Sequence, residues 1–207
     1  MYLHYELKTV PSTRQDEAIA RLHHLHSLMA QTPGFLDAQI GMYLGKPDQY
    51  VVTRRFVDAA AHYAYRASDA AKEFGAQRVV GLYENQAVQE WEQGLETVGD
   101  TTGNFLALTS FTVDVARWQE FLDQRKLHDA TGVQLGGIVN FRTYRRIEKD
   151  GSPTTDVMVL GRRDGREAFN RFIQSGEMEA WRKGLPVGLF TSTGMGFYEI
   201  VDEVLPA

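Results

Sequence analysis

The sequence predicts an α+β protein built from two ferredoxin-like β-α-β-β-α-β halves, whose antiparallel sheets pack into an α+β barrel. The main observation is that the same order of strand-like and helix-like stretches occurs twice within 207 residues. A repeat of about a hundred residues favours two halves over one large domain. The strands also carry apolar residues on both faces, so each sheet needs a second sheet to cover the face its helices leave open. We expect halves at 1–98 and 104–207, with a short polar linker at 99–103.

In the first half, each element is bounded by residues that favour its start or end. A helix is expected to begin at Ser12, with acidic residues in its first turn, and to stop at Pro33-Gly34. A polar turn at 45–48 predicts a hairpin between the two strands that follow. The remaining expected elements are strands at 3–10, 39–44, 50–56 and 89–98 and a second helix at 58–68.

The second half repeats this order with a longer hairpin, whose strands are joined by a polar turn at 149–153. The expected strands are 105–113, 136–147, 154–163 and 195–204, and the expected helices are 115–127 and 166–175. Glycines between 132 and 137 have the wrong spacing for a phosphate loop or a dinucleotide fingerprint. We expect these glycines to relieve crowding at the start of a strand.

Composition excludes several classes of protein. The chain has no cysteine, which excludes disulfides, thiolate nucleophiles, zinc–thiolate sites and iron–sulfur clusters. Its formal net charge of -5 argues against a nucleic-acid partner, because such proteins normally carry a basic stripe. The amphipathic first residues differ from a secretory signal, and the apolar runs are too short to span a bilayer. We expect a cytoplasmic protein with a small-molecule ligand and no membrane or nucleic-acid partner.

Histidines are the first candidates for acid–base or metal chemistry. His23 and His26 share a face of the first helix, but no i, i+4 zinc motif or cysteine completes a metal site, so no metal is expected. His26 lies on the inner face of that helix, where it either fills the core or acts as an acid or base. His62 lies three residues before Tyr65 and is expected to line the same cavity. We expect His4 and His128 to be structural or exposed.

Aromatic residues on the second helix of each half are the other candidates. Tyr65, Phe172 and Trp181 are expected to line a cavity between helices and sheet and to stack on a flat aromatic or quinol-like molecule. Helical aromatics also commonly fill a core, and this alternative stays open.

Several short stretches resemble the antibiotic biosynthesis monooxygenase family of dimeric α+β barrels. In the first half they are the TPGF at 32–35, Phe56 and the helix from Asp58 to Ser68. In the second half they are Glu167-Ala168-Phe169, Phe172, Ser175 and the strand GFYEIV. The resemblance implies a tandem duplication in which one chain forms a pseudo-dimer, or a homodimer if two chains exchange halves.

The haem-degrading branch of that family has an asparagine on the first strand, a tryptophan on the second helix and an iron-ligating histidine ten residues later. The resemblance places Tyr5, Tyr65 and Gly75 at these positions in the first half. It places Thr109, Phe172 and Arg182 there in the second half. Neither glycine nor arginine can bind iron, so we expect no cofactor, although another residue could still hold haem.

Cofactor-independent members of the family need a base, an anion stabiliser and a dry cavity, so the resemblance implies a monooxygenase, an oxidoreductase, acting on an aromatic or quinol-type small molecule. The expected catalytic residues are His62, Tyr65, Tyr5 and Arg182, and the expected substrate-binding residues are Thr109, Phe172, Trp181 and His26. Two alternatives remain open. The chain could be a non-catalytic barrel that binds a hydrophobic ligand such as haem or a pigment, or it could be a haem-degrading oxygenase of a non-standard kind.

Overall fold

A computed structural model describes residues 1–207 and contains eight β-strands and six α-helices. The chain divides into two compact units, one of residues 1–91 with 199–207 and the other of residues 92–198. Both divisions fall inside long strands, β4 (Glu84–Val98) and β8 (Phe190–Val204), so each unit contains one part of each strand. Compared with the predicted halves, the first unit therefore lacks the end of β4 and includes the end of β8.

The first unit has the expected β-α-β-β-α-β order with one additional helix. Its elements are β1 (Tyr2–Thr9), α1 (Gln15–Ala30), β2 (Phe35–Tyr43), β3 (Gln49–Phe56), α2 (Ala59–Ala67), α3 (Asp69–Ala76) and the first part of β4. The strand order is β4-β1-β3-β2-β8, and β3 runs antiparallel to both neighbours. Leu22 of α1 packs against Ile40, Tyr50 and Val52, which form the core between this helix and the sheet.

The second unit repeats the pattern. Its elements are β5 (Phe105–Val113), α4 (Trp118–Leu135), β6 (Ile138–Ile147), β7 (Pro153–Arg163), α5 (Arg166–Gln174), α6 (Gly176–Gly184) and the first part of β8. The strand order is β8-β5-β7-β6-β4, with β7 antiparallel to β5 and β6. Both units thus have the α+β ferredoxin-like fold, which confirms the predicted class. No helix is long and apolar enough to cross a bilayer.

Several boundaries differ from the sequence prediction for local reasons. Helix α1 begins at Gln15, because residues Ser12–Arg14 form a 3-10 turn and no side chain caps it. Helices α3 and α6 were not predicted, since Ser68 and Ser175 end one helix and also begin the next. Each serine hydroxyl accepts a hydrogen bond from the backbone N–H three residues later, which is a typical N-cap.

The largest difference lies in α4, which continues to Leu135 instead of ending at Leu127. Gly132 therefore lies inside a helix and does not relieve crowding at a strand start. A Cβ atom on Gly132 would lie 2.8 Å from the ring of Phe141, and one on Gly161 would lie 3.0 Å from the same ring. The two glycines leave the space that the Phe141 ring occupies between helix and sheet.

We expect Gly132→Ala to destabilise the protein by about 1 kcal/mol or more, because the new methyl group would overlap a buried ring. Gly75→Ala is the matched control, since Gly75 is also helical and has no atom within 4 Å of its Cβ position. Alanine there should stabilise the helix by up to about 1 kcal/mol. Urea unfolding of both variants measures the two effects. Equal changes in the free energy of unfolding would contradict this account of Gly132.

Candidate functional site

The second unit contains a cavity of about 330 Å³ whose walls are mainly aromatic. Strand β5 contributes alternate residues Ala107, Thr109 and Phe111, because successive side chains on a strand point to opposite faces. Six phenylalanine and tryptophan rings line the cavity: Phe111, Phe141, Phe169, Phe172, Trp181 and Phe190. Such a volume and lining are typical of sites that bind small apolar molecules.

A histidine and a carboxylate form the polar group of this cavity. His128 lines it, and the imidazole contacts Phe141, Phe172 and Trp181 at ring-centroid distances of 5.5, 4.8 and 4.7 Å. The Nδ1 atom of His128 lies 2.9 Å from Oδ1 of Asp129, which is completely buried. Because a carboxylate accepts hydrogen bonds, we assign the proton to Nδ1, which leaves Nε2 with a free lone pair.

Two buried arginines, Arg125 and Arg163, shift the pKa values of His128 and Asp129. Arg125 donates a hydrogen bond from Nη2 to the Asp129 carboxylate. Burial raises the pKa of Asp129 to about 6, against the opposing effect of Arg125. Burial, with Arg125 and Arg163 nearby, lowers the pKa of His128 well below its usual range, so the imidazole is neutral at pH 7.

Arg163 lies at the end of β7 and also lines the cavity. Its guanidinium carbon lies 4.3 Å from the ring centroid of Phe172 and 4.9 Å from that of Phe141. Burial lowers the pKa of Arg163 to about 10, which still leaves the side chain charged at neutral pH. Its Nε and Nη1 atoms are buried and have no hydrogen-bond acceptor. The cavity thus contains a cation with unused donors beside a neutral imidazole.

The structure brings four of the sequence-predicted residues to this cavity: Thr109, Phe172, Trp181 and Arg182. Trp181 donates its indole N–H to the carbonyl of Gln124, and Arg182 donates to the carbonyl of Ile173, both at 3.1 Å. Arg182 is exposed, whereas Arg163 is buried. Of the two guanidinium groups, Arg163 is therefore better placed to stabilise an anion in a dry cavity.

The first unit contains a separate cavity of about 420 Å³ with a much more polar lining. His62 and Tyr65 line it, as predicted from their spacing on α2. Tyr5 does not, because the cavity takes the alternate residues His4, Glu6 and Lys8 of β1. The structure therefore does not bring Tyr5 to the cavity that His62 and Tyr65 line.

His26 is fully buried beside this cavity, and its Nε2 atom accepts a hydrogen bond from Nε of Arg54 at 3.1 Å. Burial and the adjacent guanidinium lower the pKa of His26 to about 2. The imidazole of His62 stacks on Phe56 and Tyr63, and burial lowers the pKa of His62 to about 3. Both side chains are therefore neutral at pH 7.

The strand registers show that Thr109 of the second half corresponds to Glu6 of the first half, and not to Tyr5 as predicted. Tyr2 pairs with Phe56 at the end of β3, and Phe105 pairs with Arg163 at the end of β7. Counting along β1 and β5 from these pairs places Thr109 at the position equivalent to Glu6, whereas the sequence comparison had paired Thr109 with Tyr5. An offset of one residue moves a side chain to the other face of a strand, which explains why Tyr5 lies away from the cavity.

Sequence reasoning missed His128, Asp129 and Arg163. His128 was expected to be structural or exposed, because the helix was expected to stop one residue earlier. The buried positions of α4 are Phe121, Leu122, Arg125, His128, Asp129 and Gly132. Their spacing is that of one helical face, so counting buried polar residues together with apolar ones would have revealed it.

Comparison with known families supports the expected resemblance for the first half. Residues 1–77 match the model of the antibiotic biosynthesis monooxygenase family. These residues form an antibiotic biosynthesis monooxygenase domain. No curated protein matches the chain in sequence.

Solved structures with the fold of this monooxygenase domain match nearly the whole chain. The "putative monooxygenase" from Lactobacillus acidophilus NCFM has a TM-score of 0.71, with 12% identity over 100% of this chain and 98% of its own. An anthrone oxidase-like protein has a TM-score of 0.64, with 13% identity over 100% and 94%. The heme-degrading enzyme LmHde from Listeria monocytogenes has a TM-score of 0.52, with 9% identity over 96% and 99%. At these identities the likeness establishes the fold alone.

The residues at the haem-ligand positions of the two halves do not fit an iron site. Gly75 of the monooxygenase domain is exposed and has no side chain, and the Arg182 guanidinium has no lone pair to donate. Trp181 does line the second cavity, but beside an imidazole that is already bonded to Asp129. We therefore derive no chemical step through haem.

We expect titration with haemin to give no saturable shift of the Soret band, because neither Gly75 nor Arg182 can ligate iron. Absorption spectra recorded over a range of haemin concentrations measure this. A saturable shift that His128→Gln abolished would contradict the expectation and would identify His128 as the ligand.

We expect the stability of the protein to fall as the pH is lowered from 7 to 5. His26 and His62 are neutral in the folded protein, whereas in the unfolded chain they bind protons below about pH 6.5, so protonation favours unfolding. The effect is at most about 2 kcal/mol for each histidine at pH 5, because both pKa values in the folded protein lie well below 5.

His62→Phe should reduce this dependence on pH, since Phe169 occupies the corresponding position of α5 and shows that the fold accepts a phenyl ring there. Urea unfolding at pH 7 and pH 5 for both proteins gives the comparison. An identical loss of stability in the variant would show that His62 is not a buried neutral base.

Proposed function

We propose that the chain is a cofactor-independent monooxygenase that acts on an electron-rich aromatic or quinol-type small molecule in the cavity of the second unit. One observation carries this proposal. A neutral His128, hydrogen-bonded through Nδ1 to the buried Asp129 carboxylate, lines an aromatic cavity that the Arg163 guanidinium also lines. These groups are a base, a support for that base and an anion stabiliser.

Substrate binding is assigned to the aromatic walls. A planar ring system would contact Phe111, Phe169 and Phe190 from several sides, and ring pairs of this kind favour stacked or edge-to-face contacts. Thr109 is a polar residue on the β5 wall, so its hydroxyl is available to orient an oxygen atom of the substrate. The apolar surroundings keep water from the reacting carbon.

Proton transfer is assigned to His128. Its Nε2 atom takes a proton from the activated C–H or O–H group, while the Asp129 carboxylate stabilises the imidazolium that forms. Asp129 must be ionised for this purpose, and Arg125 favours its ionised form. The substrate anion that results is stabilised by Arg163, whose Nε and Nη1 donors are not used elsewhere.

The overall reaction balances without a reductant. A methylene group between two aromatic rings reacts with one molecule of dioxygen to give one ketone and one molecule of water. The carbon loses both hydrogens and is oxidised, one oxygen atom enters the product, and the other leaves as water. The His128 imidazolium returns its proton as the peroxide intermediate loses water. A fold shared with an anthrone oxidase-like protein is consistent with substrates of this kind.

A second candidate is a non-catalytic protein that binds an apolar ring compound in the same cavity. The number of rings in the lining favours it, because these residues provide binding and no chemistry. The two candidates differ in one measurable respect, since only the enzyme consumes oxygen while it converts the compound.

We expect the protein to consume oxygen with anthrone or a substituted quinol, and His128→Gln to lower kcat/KM by about 100-fold to 10,000-fold, as the loss of a general base does. An oxygen electrode, with product analysis by chromatography, measures the rate. His24→Gln is the matched control, because His24 is an exposed imidazole on α1, and it should keep the wild-type rate.

Saturable binding of these compounds without oxygen consumption would favour the second candidate. Full activity in His128→Gln would contradict the role of this histidine and would leave the base to be sought elsewhere in the cavity.

A further inference from the structure

The cavity of the first unit has an excess of positive charge. Lys8, Arg54 and Arg66 line it, and Glu6 is the single carboxylate among its lining residues. Lys8 Nζ lies 2.9 Å from Glu6 Oε2, and Arg54 Nη1 lies 3.0 Å from the same atom. One carboxylate thus neutralises one of two buried cations, and the exposed Arg66 adds a further charge.

Two buried polar groups in the same cavity lack partners. The hydroxyl of Tyr65 and the Nδ1 atom of His62 make no hydrogen bond, although each residue is only 3% exposed. Buried polar atoms without partners are costly and unusual, so they indicate a group that is bound there. Burial also raises the pKa of Tyr65, which keeps its phenol protonated and able to donate.

Part of the cavity lining is apolar. Leu25 and Met29 of α1, Ala71 of α3 and Val88 of β4 all line it. A ligand that contacts both the cationic and the apolar residues has a negatively charged end and an apolar body. A small, fully hydrated anion such as phosphate would leave the apolar residues without a contact.

The second unit shows that these polar groups are not needed for the fold. The strand registers place Thr109 where Glu6 stands, Phe111 where Lys8 stands, and Gly161 where Arg54 stands. The capping serines Ser68 and Ser175 likewise align Tyr65 with Phe172 and His62 with Phe169. The same fold therefore forms with an apolar lining, and the polar set of the first unit calls for a different explanation.

We propose that the cavity of the first unit is a second ligand site, which binds a small organic carboxylate through Arg54, Lys8 and the hydroxyl of Tyr65. The carboxylate accepts hydrogen bonds from these three donors, and its apolar body contacts Leu25 and Met29. Arg66 attracts the anion from solvent. This site is independent of the oxygenase chemistry proposed for the second unit.

The test is isothermal titration calorimetry of the full chain with benzoate and with benzamide, which have the same shape but differ in charge. We expect saturable binding of benzoate, at least tenfold tighter than that of benzamide. Equal affinities, or no saturable binding of benzoate, would overturn the proposal. Tighter binding of inorganic phosphate than of benzoate would overturn the assignment to a carboxylate.

Three single substitutions test whether benzoate binds in the cavity of the first unit. Tyr65→Phe removes one hydroxyl, and it should weaken benzoate binding by about tenfold, because it removes a hydrogen bond to a charged group. Arg66→Gln should weaken binding by a smaller factor, since this cation is exposed. Thr109→Val, in the cavity of the second unit, should leave benzoate affinity unchanged. Unchanged affinity in Tyr65→Phe, or a loss in Thr109→Val, would show that benzoate binds elsewhere.

Discussion

The completely buried carboxylate of Asp129 is the constraint on which the second unit depends. A buried charge is costly unless it is paired, and three side chains meet this requirement: Arg125 and His128 by direct contact, and Arg163 by its nearby charge. These contacts hold the imidazole in one orientation and one tautomer. The aromatic rings then pack around this polar group, so the geometry of the whole cavity follows from the need to balance one negative charge.

The first unit places its charged residues differently. Counted from the start of the helix, His26 of α1 stands where Asp129 stands in α4. A neutral imidazole accepts a hydrogen bond from Arg54 there, and the carboxylate that pairs with Arg54 is Glu6 of β1, whose side chain is 13% exposed. Moving the negative charge from the helix to the strand draws the cations into the cavity, whose lining becomes polar. One fold thus supports an apolar cavity in one unit and a cationic cavity in the other.

Much of this architecture could be predicted from local sequence. The order of strands and helices and the two hairpins followed from periodicity and turn residues. The aromatic spacing left open whether the rings line a cavity or fill a core. The errors occurred where one residue serves two elements or where polar residues are buried. Ser68 and Ser175 each end one helix and begin another, and the face of α4 that includes Arg125 and His128 lacks the apolar pattern by which helices are recognised. Tyr5 was misassigned because a shift of one position reverses the face of a strand.

The sequence by itself determined the α+β class and the repeated order of strands and helices, because these features depend on patterns over short stretches of chain. Only the tertiary structure decided that His128, Asp129 and Arg163 meet in one cavity. The last of these residues comes from a strand distant in sequence, and its place beside Phe141 and Phe172 depends on strand register and helix packing. Helical spacing can place His128 and Asp129 on one face of α4, but it does not show which side chains they contact, so their partners are known only once the strands and helices have been assembled.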